Sequence, residues 1–139
     1  MLYEDTIAGT ELAPITTELT PQRMMAYGAS TWDFIRLHYD DAYAKEKGFK
    51  APFVDGQMYG ALLARLVQDW AGPEAFLTKL SFRNRAMAFA GESVTCKGTV
   101  VRKELKGDLR LAHCELWVEN ADGVRVVDQG KAVVRLPHA

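Results

Sequence analysis

The chain has 139 residues, of which 48% are hydrophobic and 25% charged, with a formal net charge of -1. That size and composition predict one globular domain, residues 1–139, able to bury a core of its own. Scattered basic residues and a near-neutral balance give no reason to expect nucleic acid as a partner. Met1-Leu2-Tyr3-Glu4-Asp5 has neither a positive n-region nor an apolar h-region, and no run is long enough to span a bilayer, so a soluble cytoplasmic protein without a membrane role is expected.

Thr20-Pro21 joins a capping residue to a proline at the first helical position and predicts a short helix through Met24 and Tyr27 toward Gly28. Residues 29–55 read as irregular, with at most a short helix over 41–47. Residues 57–70 carry Met58, Leu62, Leu63, Leu66, Val67 and Trp70 with small residues between them. So few polar side chains predict a helix buried around most of its circumference, ended by Gly72-Pro73.

Beyond Pro73 the apolar residues alternate with period two. Phe76, Leu80 and Phe82 mark one strand, Val94, Cys96 and Val100 a second, Ala112, Cys114, Leu116 and Val118 a third, and Val124, Val126, Ala132 and Val134 a fourth. Turn clusters at Lys106-Gly107-Asp108 and Asn120-Ala121-Asp122-Gly123 pair the last three as an antiparallel meander. A hairpin turning near Gly107 sets Cys96 opposite residue 118 rather than Cys114, which predicts free, half-buried thiols. His113 lies on the Leu109, Leu111 and Trp117 side of its strand, a structural or interface position. The outline is α+β, an antiparallel sheet wrapped around one long central helix.

The chemistry concentrates between Tyr27 and Gly60. Asp33 and His38 stand five apart, followed by Gly48-Phe49, Pro52 and then Gly56 at the head of the buried helix. A carboxylate and an imidazole can activate water, and a helix N-terminus opened by glycine offers N–H groups to an oxyanion. Trp32, Phe34 and Tyr59 either wall an acyl pocket or pack the core. Arg83-Asn84-Arg85 reads either as a contact for the phosphates of coenzyme A or acyl carrier protein, or as a solvated turn. A hard-metal site of His38 with Asp40, Asp41 and Asp55 is not favoured, since no His or Cys pair has ligand spacing.

This arrangement resembles the MaoC-like, (R)-specific enoyl-CoA hydratase (hydratase 2) family of the hot-dog fold. The family motif is an Asp, four residues and a His, then a Gly-Phe-x-x-Pro block ending at the glycine that opens the central helix. Asp33, His38 and Gly56 occupy those three positions. The chain departs from the family at Ile35-Arg36, where Asn-Pro is common, and at Asp55, where His is common. A carboxylate at 55 has to point away from an oxyanion or pair with a cation such as Arg36. Gln68-Asp-Trp-Ala-Gly-Pro73 is similar to small MaoC-like subunits that pair with a second hot-dog chain.

The resemblance implies a lyase that hydrates trans-2-enoyl thioesters to (R)-3-hydroxyacyl products, or runs the reverse dehydration. Asp33 and His38 would hold the water and the Gly56 N–H would donate to the thioester carbonyl. Trp32, Phe34, Phe53 and Tyr59 would contact the acyl chain, with Arg83 and Arg85 toward the carrier. Coenzyme A or acyl carrier protein enters as part of the substrate, with no metal and no other cofactor. Two alternatives stay open: a hot-dog thioesterase, and a non-catalytic acyl-thioester-binding subunit. Because one sheet face stays uncovered, a homodimer or higher homo-oligomer is expected, or a heteromer with a second hot-dog chain.

Overall fold

Long strands that alternate apolar and polar side chains can bury only one face, and here they do so by pairing into a single sheet around a helix. The structure, a computed structural model covering residues 1–139, runs β1 (Ile15–Glu18), α1 (Pro21–Thr31), a 3-10 turn (Arg36–His38), α2 (Asp41–Glu46), α3 (Gly56–Ala71), β2 (Phe76–Asn84), β3 (Ser93–Lys106), β4 (Leu109–Asn120) and β5 (Arg125–Arg135). The five strands lie in the order β1-β3-β4-β5-β2, every pair antiparallel. This is the hot-dog fold, and the expected meander is β3-β4-β5.

The inner face presents Val94, Cys96 and Val100 of β3, Ala112, Cys114, Leu116 and Val118 of β4, and Ala132 and Val134 of β5, all in one core cluster with α3. Each fully buried Leu or Val contributes roughly 1.5–3 kcal/mol. The outer face is polar and self-paired. Lys97 reaches Glu119 at 2.6 Å, Arg102 reaches Glu104 at 3.1 Å, and His113 reaches Glu104 at 2.7 Å, so His113 is structural.

Helix α3 buries Met58, Tyr59, Leu63, Leu66, Val67 and Ala71. Gln57, Ala61, Arg65, Gln68 and Asp69 form an exposed stripe, so the helix is buried on one side rather than all round. Its end is as expected: Gly72 adopts φ 88° and donates to the Gln68 carbonyl at 2.8 Å. No helix is long and apolar enough to cross a membrane.

Two elements differ from the sequence expectation. Strand β1 was not expected, since four residues carry too little periodicity to register. Its place is set by pairing with Ser93–Cys96 of β3 and by a Thr16–Thr95 hydroxyl contact of 2.9 Å. Helix α1 opens at Pro21, with Thr20 Oγ1 accepting the Arg23 N–H at 3.1 Å, but runs past Gly28 to Thr31.

Cys96 sits opposite Val118 as the hairpin predicts, and Cys114 opposite Val100. Both thiols are free and fully buried, at 0% and 2% exposure, rather than half-buried. Burial pushes Cys96 up to about 12 and Cys114 to about 11. Since the thiolate is the reactive species, neither cysteine should react with a thiol reagent in the native protein at pH 8, and both should label after denaturation. Prompt native labelling of either would place it at the surface.

Candidate active site

Asp33 is positioned by the way α1 ends. The Trp32 N–H donates to the Ala29 carbonyl at 3.4 Å and the Asp33 N–H to the Gly28 carbonyl at 2.8 Å, while Trp32 takes φ 59°. This pair of bonds closes a helix through one left-handed residue, a place glycine usually fills. A tryptophan there costs about 1–2 kcal/mol, and with 82% of Trp32 exposed little packing offsets it. Gly28 makes the return possible, because a Cβ at that position would stand 2.7 Å from the Asp33 carbonyl oxygen. Asp33 Oδ1 then accepts the Ile35 N–H at 3.1 Å, and its second oxygen makes no hydrogen bond within the protein.

His38 closes the 3-10 turn with Nδ1 2.8 Å from the Phe53 carbonyl oxygen. A carbonyl only accepts, so Nδ1 carries the hydrogen, and Nε2 has no hydrogen-bond partner within the protein. The Phe53 ring meets His38 edge to face at 5.2 Å, Phe49 packs on Phe53 at 4.9 Å, and the Phe53 N–H donates to Leu37 at 3.2 Å. The segment leading into α3 therefore clamps the imidazole, which is why the interval from His38 to Gly56 carries information.

Asp55 caps α3, its Oδ1 accepting the Gln57 N–H at 2.9 Å. The Gly56 N–H has no acceptor in the protein and stands at the positive end of a 16-residue helix. One donor atom each from Asp33, His38 and Asp55 all lie within 4.8 Å of one another, and the three residues are half-buried. Tyr27 stands beside them. Burial first, then the charges of Asp55 and Asp33, hold its phenol above the ordinary range, so it stays protonated. The site thus combines two carboxyl groups, an imidazole held at Nδ1 with its Nε2 unpartnered in the protein, a phenol and a free backbone N–H.

Arg36 does not reach Asp55. It binds Asp40 at 2.7 and 3.0 Å and lies over the Tyr43 ring at 4.1 Å. The Tyr43 N–H first, and Arg36 second, hold the Asp40 carboxyl below its usual range. Asp41 pairs with Lys45 at 2.7 Å. Neither Asp40 nor Asp41 joins His38; the three side chains whose donor atoms converge are Asp33, His38 and Asp55.

Among the other sequence candidates, Trp32 and Phe34 (52% exposed) form an edge-to-face pair at 5.1 Å on the surface rather than in the core. Phe53 holds His38. Tyr59 belongs to the core at 2% exposure, its hydroxyl unpartnered. Arg85 lies 3.7 Å from Asp128, and Arg83 lines an outer-face groove with Ser81, Glu115 and Lys131. Asn84, between them, lies so close to Gly56 that a Cβ there would run into its side-chain amide. Sequence reasoning missed Tyr27 as a site residue, met Asn84 only within the Arg83-Asn84-Arg85 cluster, and met Asp55 only as a departure from the family. Tyr27 precedes Asp33 by six residues on a helix whose end folds back. Nothing in the sequence sets Asn84 against Gly56.

The close return at Gly28 and the strained turn at Trp32 give opposite predictions. Gly28→Ala should lower stability by about 1–3 kcal/mol, since the Asp33 backbone has to move. Trp32→Gly should raise it by about 1 kcal/mol through relief of the left-handed conformation. Urea denaturation of both variants checks this, and equal shifts of the same sign would contradict the geometry.

Comparison with known proteins agrees with this fold. Residues 4–120 match the MaoC-like domain. The chain is 30% identical over 95 residues to the 3-oxo-4,17-pregnadiene-20-carboxyl-CoA hydratase beta subunit of Mycobacterium tuberculosis, covering 68% of this chain and 74% of that one. It is also 30% identical over 113 residues to the (R)-specific enoyl-CoA hydratase of Aeromonas caviae, covering 81% and 82%. In the crystal structure of the ChsH1-ChsH2 complex from M. tuberculosis, one chain superposes with a TM-score of 0.83 at 26% identity, covering 94% of this chain and 98% of that one. With most of its length matched, and with the Asp33, His38 and Gly56 spacing realised in space, the chain belongs to the MaoC-like domain family.

Proposed function

We propose that this protein is a hydratase that adds water across the double bond of a trans-2-enoyl thioester to give an (R)-3-hydroxyacyl thioester, or catalyses the reverse dehydration. The observation that carries this reading is the convergence of Asp33 and His38 beside an N–H at a helix start that nothing in the protein uses. The reading draws further support from two relatives, each named as a hydratase of a CoA thioester.

Water held by the free oxygen of Asp33 and by Nε2 of His38 is polarised on both hydrogens. Its oxygen bonds to the β-carbon while the pair takes up one proton. The π electrons move to the thioester oxygen, where the Gly56 N–H and the α3 dipole stabilise the developing negative charge. The proton then passes to the α-carbon, so that OH and H are both delivered and the enzyme is restored. Tyr27, kept protonated first by burial and then by the charges of Asp55 and Asp33, is held as a neutral phenol beside the two carboxylates. Asp55 accepts the Gln57 N–H with one oxygen, which holds its side chain on the α3 cap. The exposed Trp32 and Phe34 rings supply apolar surface for the acyl chain, and Arg83 has its guanidinium free for a carrier phosphate. Coenzyme A or acyl carrier protein comes with the substrate.

A panel of short, medium, branched and polycyclic enoyl-CoA thioesters tests the reading through loss of the conjugated-thioester absorbance and chiral analysis of the product. Asp33→Asn and His38→Gln should each lower kcat by about 10²–10⁴-fold with little change in KM, the range expected for loss of an acid or base. Turnover that survives either change would remove that residue from the mechanism, and release of free coenzyme A without hydration would make the protein a thioesterase. Gly56→Ala should displace Asn84 and lower kcat/KM by about 10-fold or more, as for loss of a preorganised oxyanion donor. An unaltered kcat/KM would show that this N–H is not used.

A further inference from the structure

Strand β2 touches α3 at two points one helical turn apart. A Cβ at Gly60 would stand 2.8 Å from Cε1 of Phe82, and one at Gly56 would run into the Asn84 amide. Residues i and i+4 share a face of a helix, and residues i and i+2 share a face of a strand. The two glycines therefore let the end of β2 lie directly on the first turn of α3. That end is tied down, with Asn84 opposite the core residue Val127 of β5 and the Arg85 N–H donating to the Val126 carbonyl at 2.8 Å. Asn84 is exposed, and its side chain makes no hydrogen bond within the protein.

The amide is turned with its NH2 group toward the helix. Nδ2 is the atom nearest the place of a Gly56 Cβ, with Cγ at 3.2 Å and Oδ1 farther off at 3.6 Å. Cα–Cβ bonds lean toward the N-terminus of a helix, so this NH2 lies at the end where the Gly56 N–H opens. Had Oδ1 faced the helix, it could have accepted that N–H and closed the position. Instead two unused donors stand side by side. Of the three polar residues at this strand end only Asn84 reaches the helix, since Arg83 lines the outer-face groove and Arg85 lies 3.7 Å from Asp128.

The electrostatics of this chain call for a second donor. Asp55, half-buried and next to Gly56, sets a carboxyl group near the place where negative charge would grow, which raises the cost of that charge. We infer that the side-chain amide of Asn84 is the second donor to the thioester oxygen, completing a two-point oxyanion hole with the Gly56 N–H. The inference rests on the proposed binding of a thioester at this site. A neutral amide suits the position, because it donates without forming an ion pair with Asp33 or Asp55, as an arginine there would.

Asn84→Asp keeps the shape of the side chain and removes its donor hydrogens, and Asn84→Ala removes the group. Each should lower kcat/KM for enoyl-CoA hydration by about 10²-fold, mostly through kcat, because the contact strengthens as charge develops. If one variant does not fold, the other carries the test. A packing role is separated by infrared difference spectra of a saturated acyl-CoA labelled with 13C at the thioester carbonyl and bound at saturating protein. Binding to wild type should lower the carbonyl stretch, and binding to either variant should lower it distinctly less. An equal lowering in wild type and variants, or hydration by the variants at the wild-type rate, overturns the inference and leaves the hydratase reading intact. Release of free coenzyme A in place of hydration would replace the hydratase reading, while a smaller lowering in the variants would still support Asn84 as a donor. Failure of every thioester to bind would overturn both.

Discussion

The seating of α3 in the curve of the sheet is the constraint on which the rest depends. Met58, Leu63, Leu66 and Val67 bury one side of the helix against β3, β4 and β5, and that contact fixes where its first residue emerges. Gly56 therefore presents its N–H at one defined place, beside the end of β2, where Asn84 comes close enough to require a glycine. The N–H proposed as the oxyanion donor is placed by core packing, so its geometry is as rigid as the core itself.

Everything else at the site is brought to that point by short-range backbone devices. The turn through Trp32 returns Asp33 along α1, and the Phe53 carbonyl holds one nitrogen of His38 and leaves the other free. Asp55 joins the two halves, because one of its oxygens caps α3 while the residue stands in the same cluster as Asp33 and His38. Strain at Trp32 sits where the chain carries its candidate base, which fits the general observation that unfavourable conformations persist where the surrounding structure holds a functional group in place.

The polar outer face and the cationic β2 edge set this chain's relations with other molecules apart from its internal chemistry. Internal contacts such as the Lys97–Glu119 ion pair and the hydrogen bond between His113 and Glu104 satisfy the middle of the outer face. At β2 the cations remain without such partners.

Much of this was legible in the residues alone. Period-two alternation located four strands, the Gly107 turn set Cys96 against Val118, Gly56 to Gly72 bracketed the central helix, and the spacing of Asp33, His38 and Gly56 identified the family. These are local signals, carried by residues close in sequence. What only the tertiary structure decided are the contacts between residues far apart or governed by a single backbone angle: β1 on β3, Asn84 against Gly56, Tyr27 beside two carboxylates, Arg36 on Asp40 rather than Asp55, and Tyr59 in the core. The physical reason is that local patterning specifies which face of an element is apolar, whereas close approach between elements depends on how their buried faces fit together, and no short stretch of sequence encodes that fit.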